Sequence, residues 1–400
     1  MPGETLFTRR FTLCWLANLA QCMAFSLFLH FPGFLKGIGA SALEIGWIFG
    51  VTALVSIAVR PTLGAVMDRR GRRGVILWGN ALNVVVLALY LTVHEIGPWV
   101  YVVRIGHGLS EAMLFTALFT YAADQVPEKR LTQGLAIFGV SGMLPISLAG
   151  LLGDFILKES DFTLLFAVAT GIAALALVLA LPLSEAPRNR QRQAEDAPEG
   201  FLAVALQRNL VPIWFVATTF SVALAAMFTF VKPFVMDTGL GSVGGFFTGY
   251  TAVAILLRVF FGWLPDRLGA VRVLLPALAL QAAGFFLLAS TPTAEEMMVA
   301  GMLCGAGHGY AFPILFGLVV TRCREADRGS AMALYTGLFD VGVLLGGPSL
   351  GYLIDHSGYP SMFAAAGGLL VVGGLGFAVW DRALTDRKLR EALPRPKRSP

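Results

Sequence analysis

The segment Gly64-Ala-Val-Met-Asp68-Arg69-Arg70-Gly71-Arg72-Arg73 is a short charged stretch between two long apolar ones, and the chain contains a second version of it. The second version begins about 200 residues later and reads Gly262-Trp-Leu-Pro-Asp266-Arg267-Leu-Gly269-Ala-Val-Arg272. An arginine precedes each version at the same distance, Arg60 in one case and Arg258 in the other. Another pair, Gly106-His107-Gly108 and Gly307-His308-Gly309, repeats at nearly the same interval. Such repetition is typical of an internally duplicated membrane transporter.

The composition indicates lipid surroundings. Hydrophobic residues make up 56% of the 400 positions and charged residues 14%, and the mean hydropathy is +0.72. These polar side chains are too few to cover a water-soluble globule of this size. The apolar runs are about 20 residues long, which is the length that a helix needs to cross the hydrocarbon core. We therefore expect an all-α membrane protein with twelve transmembrane helices, at about 11–35, 44–66, 74–94, 98–122, 132–157, 162–182, 209–231, 243–264, 273–291, 295–320, 329–354 and 360–380.

The repeats predict two pseudo-symmetric six-helix bundles. We expect the N-terminal bundle in residues 1–182 and the C-terminal bundle in residues 209–380. A polar cytoplasmic linker at 183–208 joins them, and a basic tail follows at 381–400. Lysine and arginine are concentrated on one side of the predicted helices, which places both termini in the cytoplasm. The net charge of +5 then reflects this bias and contact with anionic membrane lipid, rather than binding to nucleic acid.

The first charged segment resembles the signature Gly-x-x-x-Asp-Arg-x-Gly-Arg-Arg of the major facilitator superfamily, and agrees with it at Gly64, Asp68, Arg69, Gly71, Arg72 and Arg73. The second copy keeps Asp266 and Arg267 but departs from the signature at Pro265 and Ala270. The resemblance implies the twelve-helix fold of this superfamily, in its drug/proton-antiporter-like branch, and transport by alternating access. It also implies that both segments belong to a gate that holds the bundles together on the cytoplasmic side.

The predicted fourth helix carries ionisable residues near the middle of the membrane. Its spacing puts Arg104, His107, Gly108 and Glu111 on one stripe. Such a stripe is expected to face the bundle interior or a water-filled cavity, where a carboxylate can change its charge as the cavity opens to either side. The pattern Arg104-x-x-x-Gly108 also resembles a fourth-helix signature of the superfamily that is associated with proton coupling. We predict that Glu111 carries the proton, that Arg104 sets its proton affinity and that His107 is a relay.

Two structural interpretations of this stripe stay open. Arg104 and Glu111 could neutralise each other and hold the helix in register. The Gly-His-Gly element could be a packing motif in both halves, because His308 repeats His107.

Asp340 is a second acid at membrane depth, in the predicted eleventh helix, and is the rival proton carrier. In the superfamily fold this helix packs against helix two, so Asp340 is expected either to pair with Arg60 or to bind substrate. Arg258 is the repeat counterpart of Arg60, but the facing part of helix five, residues 137–144, contains no acid. The sequence therefore gives no partner for Arg258.

We expect the substrate to be a small molecule bound in a largely apolar cavity with a few polar groups. The sequence contains no nucleotide-binding motif and no close-spaced pair of metal ligands, so we expect a secondary transporter without cofactor or metal, not an enzyme or an ATP-driven pump. The predicted cavity residues are Asn18, Gln21, Arg60, Arg258, His308, Tyr310 and Tyr335.

Taken with the resemblance, these features predict a monomeric, multi-pass protein of the cell inner membrane that exports small amphipathic molecules in exchange for protons. Gly139, Gly142 and Pro145 of helix five resemble only loosely the glycine-rich signature of antiporters in the superfamily. One alternative is an importer of an organic anion or metallophore, for which buried arginines would supply counter-charges. The other is a membrane receptor that has kept the fold without transport.

Overall fold

The computed structural model describes residues 7–126, 131–185, 201–290, 293–324 and 327–392, and every regular element in these ranges is helical. The long helices of the N-terminal half are α1 (Arg9–Gly37, with a 3-10 turn at Phe28–His30), α2 (Ala42–Arg70), α3 (Arg72–Leu89), α4 (Pro98–Gln125), α5 (Leu131–Glu159) and α6 (Phe162–Ala180). Those of the C-terminal half are α7 (Val211–Thr238), α8 (Val243–Phe261), α9 (Ala270–Ala289), α10 (Ala294–Arg322) and the stretch Arg328–Ala392.

The stretch Arg328–Ala392 is divided at Gly358, whose φ of 77° and ψ of 173° are not helical. We number its two parts α11 (328–357) and α12 (359–392). Among the described residues, eleven stretches are long and apolar enough to cross a membrane, and one of them, Arg328–Leu384, contains both α11 and α12. The predicted twelve spans are therefore present, although α12 continues past its predicted end at 380.

The helices form two bundles that correspond to the two sequence repeats. In the first, α1 packs against α5 and α6, α2 against α4, and α3 against α4 and α6. In the second, α8 and α9 pack against α10, and the α11–α12 stretch packs against α7 and α9. The bundles meet where α2 packs against the α11–α12 stretch and where α5 packs against α8. These two helix pairs are equivalent under the repeat.

The charged segment at 64–73 is mostly helix, whereas the predicted helices end at 66 and begin again at 74. The helix α2 continues through Arg70, and Gly71 is the single residue between α2 and α3. Gly71 has φ 89° and Gly269, its counterpart before α9, has φ 95°. A reversal within one residue needs this left-handed backbone, which glycine adopts without steric cost. We call the end of the bundles at Gly71 and Gly269 the basic end, and the opposite end, at Ala42 and Asp355, the far end.

The bundles pack most closely toward the far end. A Cβ at Gly46 of α2 would lie 2.2 Å from the carbonyl oxygen of Gly347, and one at Gly351 would lie 2.3 Å from that of Ala42. Between α5 and α8, a Cβ at Gly244 would lie 2.9 Å from Leu151 Cα. Glycine thus allows backbone-to-backbone contact here. By contrast, a Cβ at Gly139 or Gly337, nearer the basic end of α5 and α11, would meet no atom within 4 Å.

Candidate functional site

An ion pair joins the two bundles inside the membrane. Arg60 Nε on α2 donates to Asp340 Oδ2 on α11 at 2.8 Å, and the hydroxyl of Ser56 donates to the same oxygen at 3.1 Å. Both charged side chains are only 17% exposed. The pairing that the sequence suggested for Arg60 and Asp340 is therefore present. Ser56 was not predicted, and its position one helical turn before Arg60 is the signal that could have indicated it.

The equivalent arginine in the other half has a different environment. Arg258 Nε on α8 donates to the carbonyl oxygen of Gly309 at 3.1 Å, and its Nη1 lies 2.8 Å from the sulfur of Met143 on α5. Within the described part of the chain, Arg258 forms no ion pair with an acid. Arg258, for which the sequence indicated no partner, thus contacts a backbone carbonyl and a thioether.

Glu111 occupies the middle of α4 and is half-buried. Among the described residues its carboxylate accepts no hydrogen bond and forms no ion pair. It lies within electrostatic range of Asp340, Arg104 and Arg60. A carboxylate without a fixed partner in this position can take up and release a proton without first breaking a hydrogen bond.

Arg104 is hydrogen-bonded to the backbone of α2 and to Tyr90 rather than to Glu111. Its Nε donates to the carbonyl oxygen of Ile48 on α2 at 3.2 Å, and its Nη1 donates to the Tyr90 hydroxyl at 3.3 Å. The guanidinium lies 4.4 Å from the centre of the Phe49 ring, a favourable cation–π distance. In the described structure the two residues of the stripe therefore do not neutralise each other through an ion pair. Arg104 acts on Glu111 only at longer range.

The two histidines of the repeated Gly-His-Gly element each meet a tyrosine hydroxyl. His107 Nδ1 lies 2.9 Å from the hydroxyl of Tyr90, and His308 Nδ1 is hydrogen-bonded to that of Tyr250. The histidine side chains differ in exposure, since His107 is 1% exposed whereas His308 is half-buried. Both histidines therefore have a fixed partner within their own bundle.

The glycines on either side of each histidine allow close helix contacts. A Cβ at Gly106 would lie 2.8 Å from Val86 on α3, and one at Gly108 would lie 2.5 Å from the Thr52 carbonyl oxygen on α2. In the second half, Gly307 packs in the same way against α9 and Gly309 against α8. This geometry supports the packing interpretation of the element. A relay role for His107 stays a prediction.

The other predicted cavity residues are largely buried and hydrogen-bonded. Asn18 donates to Ser141 at 2.8 Å, and Gln21 accepts from Asn83 at 3.0 Å, both within the N-terminal bundle. In the C-terminal bundle the hydroxyls of Tyr310 and Tyr335 donate to the carbonyl oxygens of Phe261 and Phe312 at 3.0 and 2.9 Å. These contacts fix the side chains, and contact with substrate stays a prediction for each of them.

An aromatic cluster lies beside His308 in the C-terminal bundle. The ring of Phe220 on α7 packs edge-on at 5.4 Å from the His308 ring. Phe312 on α10 and Tyr335 on α11 lie 5.1 and 5.4 Å from the ring of Phe339. Phe312 and Phe339 are half-buried, whereas Phe220 and Tyr335 are fully buried. The cluster offers an apolar surface with few polar groups, as expected of a small-molecule site.

Arg72 and Arg73 of the charged segment contact α4 and the start of the linker. Arg72 Nε lies 3.0 Å from Asp124 Oδ2 of α4. The backbone N–H groups of Arg72 and Arg73 donate to the Glu185 carboxylate at 2.8 and 3.2 Å, so that an acid caps the start of α3. The side chains of Asp68 and Arg69 and the surroundings of Gly64 lie outside the described residues. Asp266 and Arg267 of the second copy are exposed, with Arg267 stacked on Trp263.

Two aspartates at the far end were not predicted. Asp355 at the end of α11 accepts from the backbone N–H groups of Ala42 and Leu43, at 3.0 and 2.9 Å, where α2 begins. Asp154 near the end of α5 accepts from the N–H of Gly244 at 2.6 Å, where α8 begins. Each acid therefore caps a helix of the opposite bundle. The signal in the sequence is a third repeat, Gly150-Leu-Leu-Gly-Asp154 and Gly351-Tyr-Leu-Ile-Asp355.

Further contacts strengthen the closure of the far end. Lys36 at the end of α1 pairs with Asp237 at the end of α7. The hydroxyls of Ser147 on α5 and Thr248 on α8 are hydrogen-bonded at 2.9 Å. Within the described ranges, no group of three or more His, Cys, Asp or Glu side chains could hold a metal ion.

Comparison with known proteins identifies the family of this chain. The profile of the Major Facilitator Superfamily matches residues 13–254 and 237–399. The multidrug resistance protein MdtG of Serratia proteamaculans is 24% identical over 98% of each chain, and the staphylopine export protein of Staphylococcus aureus is 22% identical over 84% of this chain and 86% of its own. The crystal structure of the nucleoside transporter NupG superposes with a TM-score of 0.74 at 12% identity, covering 93% of this chain and 99% of that one.

Proposed function

The chain belongs to the major facilitator superfamily, and we propose that it is a proton-coupled secondary active transporter that exports small amphipathic molecules across the inner membrane by alternating access. The basic end then faces the cytoplasm, because lysine and arginine stay on that side. The far end faces the outside. The protein is a multi-pass membrane protein.

The distribution of contacts between the bundles supports alternating access. Glycine contacts, the Lys36–Asp237 pair and two aspartate caps close the far end, whereas Gly139 and Gly337 nearer the basic end have open surroundings. The polar contacts among these are hydrogen bonds and an ion pair between helix ends, which can break and re-form without unfolding a helix. The conformation is that of a transporter closed on the outside.

The unpartnered carboxylate of Glu111 is the observation that carries the proposal of proton coupling. It is half-buried at mid-membrane on α4, without a hydrogen-bond partner among the described residues, and it lies within electrostatic range of the Arg60–Asp340 pair between the bundles. When the bundles move, the distance from Glu111 to these charges changes, and with it the free energy of holding a proton. Rocking of the bundles and protonation of Glu111 are coupled in this way.

Export is supported by the names of two relatives. One is named as a multidrug resistance protein and the other as an export protein. The aromatic cluster beside His308 would accept the apolar part of an amphipathic molecule. Import of an organic anion or metallophore is the second candidate, because Arg258 has no acid partner in the described chain.

Reconstitution into liposomes that contain a pH indicator tests this function. Amphipathic compounds of positive, zero and negative charge are added to either side, with and without a pH gradient. We expect at least one compound to move against its concentration gradient while protons move in the opposite direction. Movement of compound and protons in the same direction would support the importer. If no compound crosses in any arrangement, the protein does not transport this class of molecule.

A further inference from the structure

We propose that the transported molecule carries a carboxylate, and that this carboxylate binds Arg258 in the position that Asp340 takes beside Arg60. The inference rests on the proposed function, since it names the chemistry of the molecule that such a transporter would carry. It is independent of the direction of transport and of the identity of the proton carrier.

The argument begins with the equivalence of the two sites. Arg60 on α2 and Arg258 on α8 occupy the same place in the repeat, and each faces the helix that packs on it from the other bundle. At the interval that the two far-end aspartates keep on these helices, the position in α5 that corresponds to Asp340 in α11 is Gly139. Arg60 therefore has a carboxylate of the chain at this position, whereas Arg258 has a glycine.

The surroundings of Gly139 leave room for an acidic group. A Cβ built at Gly139 would meet no atom within 4 Å. Met143, one turn further along the same face of α5, places its sulfur 2.8 Å from Arg258 Nη1, but a thioether is a weak acceptor without charge. Within the described residues, the one strong acceptor on Arg258 is the carbonyl oxygen of Gly309. The five N–H groups of the guanidinium therefore retain donors for an anion.

Electrostatics favour an anionic ligand at this place. A half-buried cation at membrane depth is unfavourable unless an anion or several acceptors compensate for the lost hydration. Arg60 obtains this compensation from Asp340. Arg258 obtains it within the described chain only from neutral groups, so a carboxylate that enters with the substrate gains a charge-assisted and potentially bidentate interaction.

The rest of the ligand has an apolar surface beside it. The carbonyl group that binds Arg258 belongs to Gly309, which directly follows His308. His308 contacts Phe220 and Phe312 in the aromatic cluster. An amphipathic molecule with its carboxylate on Arg258 would therefore place its apolar part against this cluster. The geometry selects amphipathic carboxylates.

Binding of matched compounds to the purified full-length protein tests this inference. The probes are naphthalene-2-carboxylate and octanoate, each compared with its carboxamide, which has nearly the same size without the charge. We expect the wild-type protein to bind the carboxylates at least about tenfold more tightly than the carboxamides. Arg258→Gln and Gly139→Asp should both remove this preference, the second because the new carboxylate pairs with the guanidinium in place of the ligand.

Two controls make the result specific. Gly142→Asp places the same charge on the same helix, but the Cβ at this position lies nearest to the sulfur of Cys22 on α1, so this variant should retain the preference. Arg258→Lys should retain part of it, because the positive charge remains. Carboxamide binding shows that each variant is folded.

Equal binding of carboxylates and carboxamides by the wild-type protein would overturn the proposal, and so would a preference that survives Arg258→Gln. Failure of the proposed function is a separate result, because it is read from proton-coupled movement in liposomes. A protein that prefers carboxylates but moves no protons would keep the inference and refute the coupling.

Discussion

Asp154 and Asp355 occupy equivalent positions in the two halves, and each caps the first turn of a helix in the opposite bundle. Asp355 accepts from the N–H groups of Ala42 and Leu43, and Asp154 accepts from that of Gly244. Asp154 also pairs with the buried His30, at 3.0 Å. The two halves are thus joined at the far end by reciprocal acid-to-helix contacts. A duplicated chain can open and close such contacts with one rocking movement.

The first prediction concerns these caps. Asp355→Asn keeps the side-chain volume but removes the charge at the start of α2. It should destabilise the conformation with a closed far end by about 1 kcal/mol. The population open to the outside should rise about fivefold. It is measured by the rate at which an impermeant thiol reagent labels Ser147→Cys, in a background without other cysteines.

Asp161→Asn is the matched control for this experiment. Asp161 caps α6 of its own bundle by accepting from the N–H of Leu164 at 3.0 Å. Its loss should weaken one helix end without changing the labelling of Ser147→Cys. Equal effects of the Asp161 and Asp355 substitutions would mean that the far-end aspartates stabilise helices and do not hold the bundles together.

The second prediction concerns the ion pair between the bundles. Arg60→Leu or Asp340→Leu alone leaves one charge without its partner in a poorly hydrated place, and should lower the free energy of unfolding by about 3 kcal/mol. The double variant should recover much of this loss. Ser56→Ala removes only one hydrogen bond and should cost about 1 kcal/mol. Thermal unfolding in detergent measures all four variants, and strictly additive losses would contradict a direct pairing.

The sequence predicted those features that follow from composition and spacing. Apolar runs of membrane-spanning length located the helices, and the repeat identified Arg60 and Arg258 as equivalent residues. The pairing of Arg60 with Asp340 followed from the superfamily fold, which brings α2 and α11 together. The fourth-helix stripe was correctly expected to face the bundle interior, since Arg104 and His107 are buried.

Contacts to the backbone could not be predicted in this way. Asp154 and Asp355 lie near helix ends, where acids are commonly solvated, and their partners are N–H groups that every residue possesses. The separation of Arg104 from Glu111 has a geometric cause. Seven residues of helix span about 10 Å, and the Arg104 side chain is directed to Ile48 and Tyr90 instead. The spacing of Arg104 and Glu111 predicted that they share one stripe of the helix, but it could not predict the direction of each side chain.

The third prediction concerns the turn at the basic end. Gly71→Ala combines a left-handed backbone with a Cβ that would lie 2.3 Å from the carboxylate carbon of Glu185. Gly269→Ala imposes a similar backbone strain, at φ 95°, but its Cβ would meet nothing within 4 Å. We expect Gly269→Ala to cost about 1 kcal/mol and Gly71→Ala to cost clearly more, as measured by thermal unfolding in detergent.

The contact with Glu185 is the reason for this difference. In a Glu185→Ala background, which has already lost this helix cap, Gly71→Ala should cost about as much as Gly269→Ala, because the clash is absent. Identical unfolding temperatures for Gly71→Ala and Gly269→Ala would show that Glu185 does not anchor the start of the linker to α3.

Glu111→Gln in proteoliposomes tests the central claim most directly. The glutamine keeps the shape of the side chain but cannot carry a proton, so the variant should exchange substrate for substrate across the membrane at the wild-type rate. It should fail to concentrate substrate when a pH gradient is applied, because only that process requires proton transfer. Asp340→Asn, measured in parallel, should still respond to the gradient. If Glu111→Gln concentrates substrate in response to the gradient and Asp340→Asn does not, Asp340 is the proton carrier and the account of Glu111 is wrong.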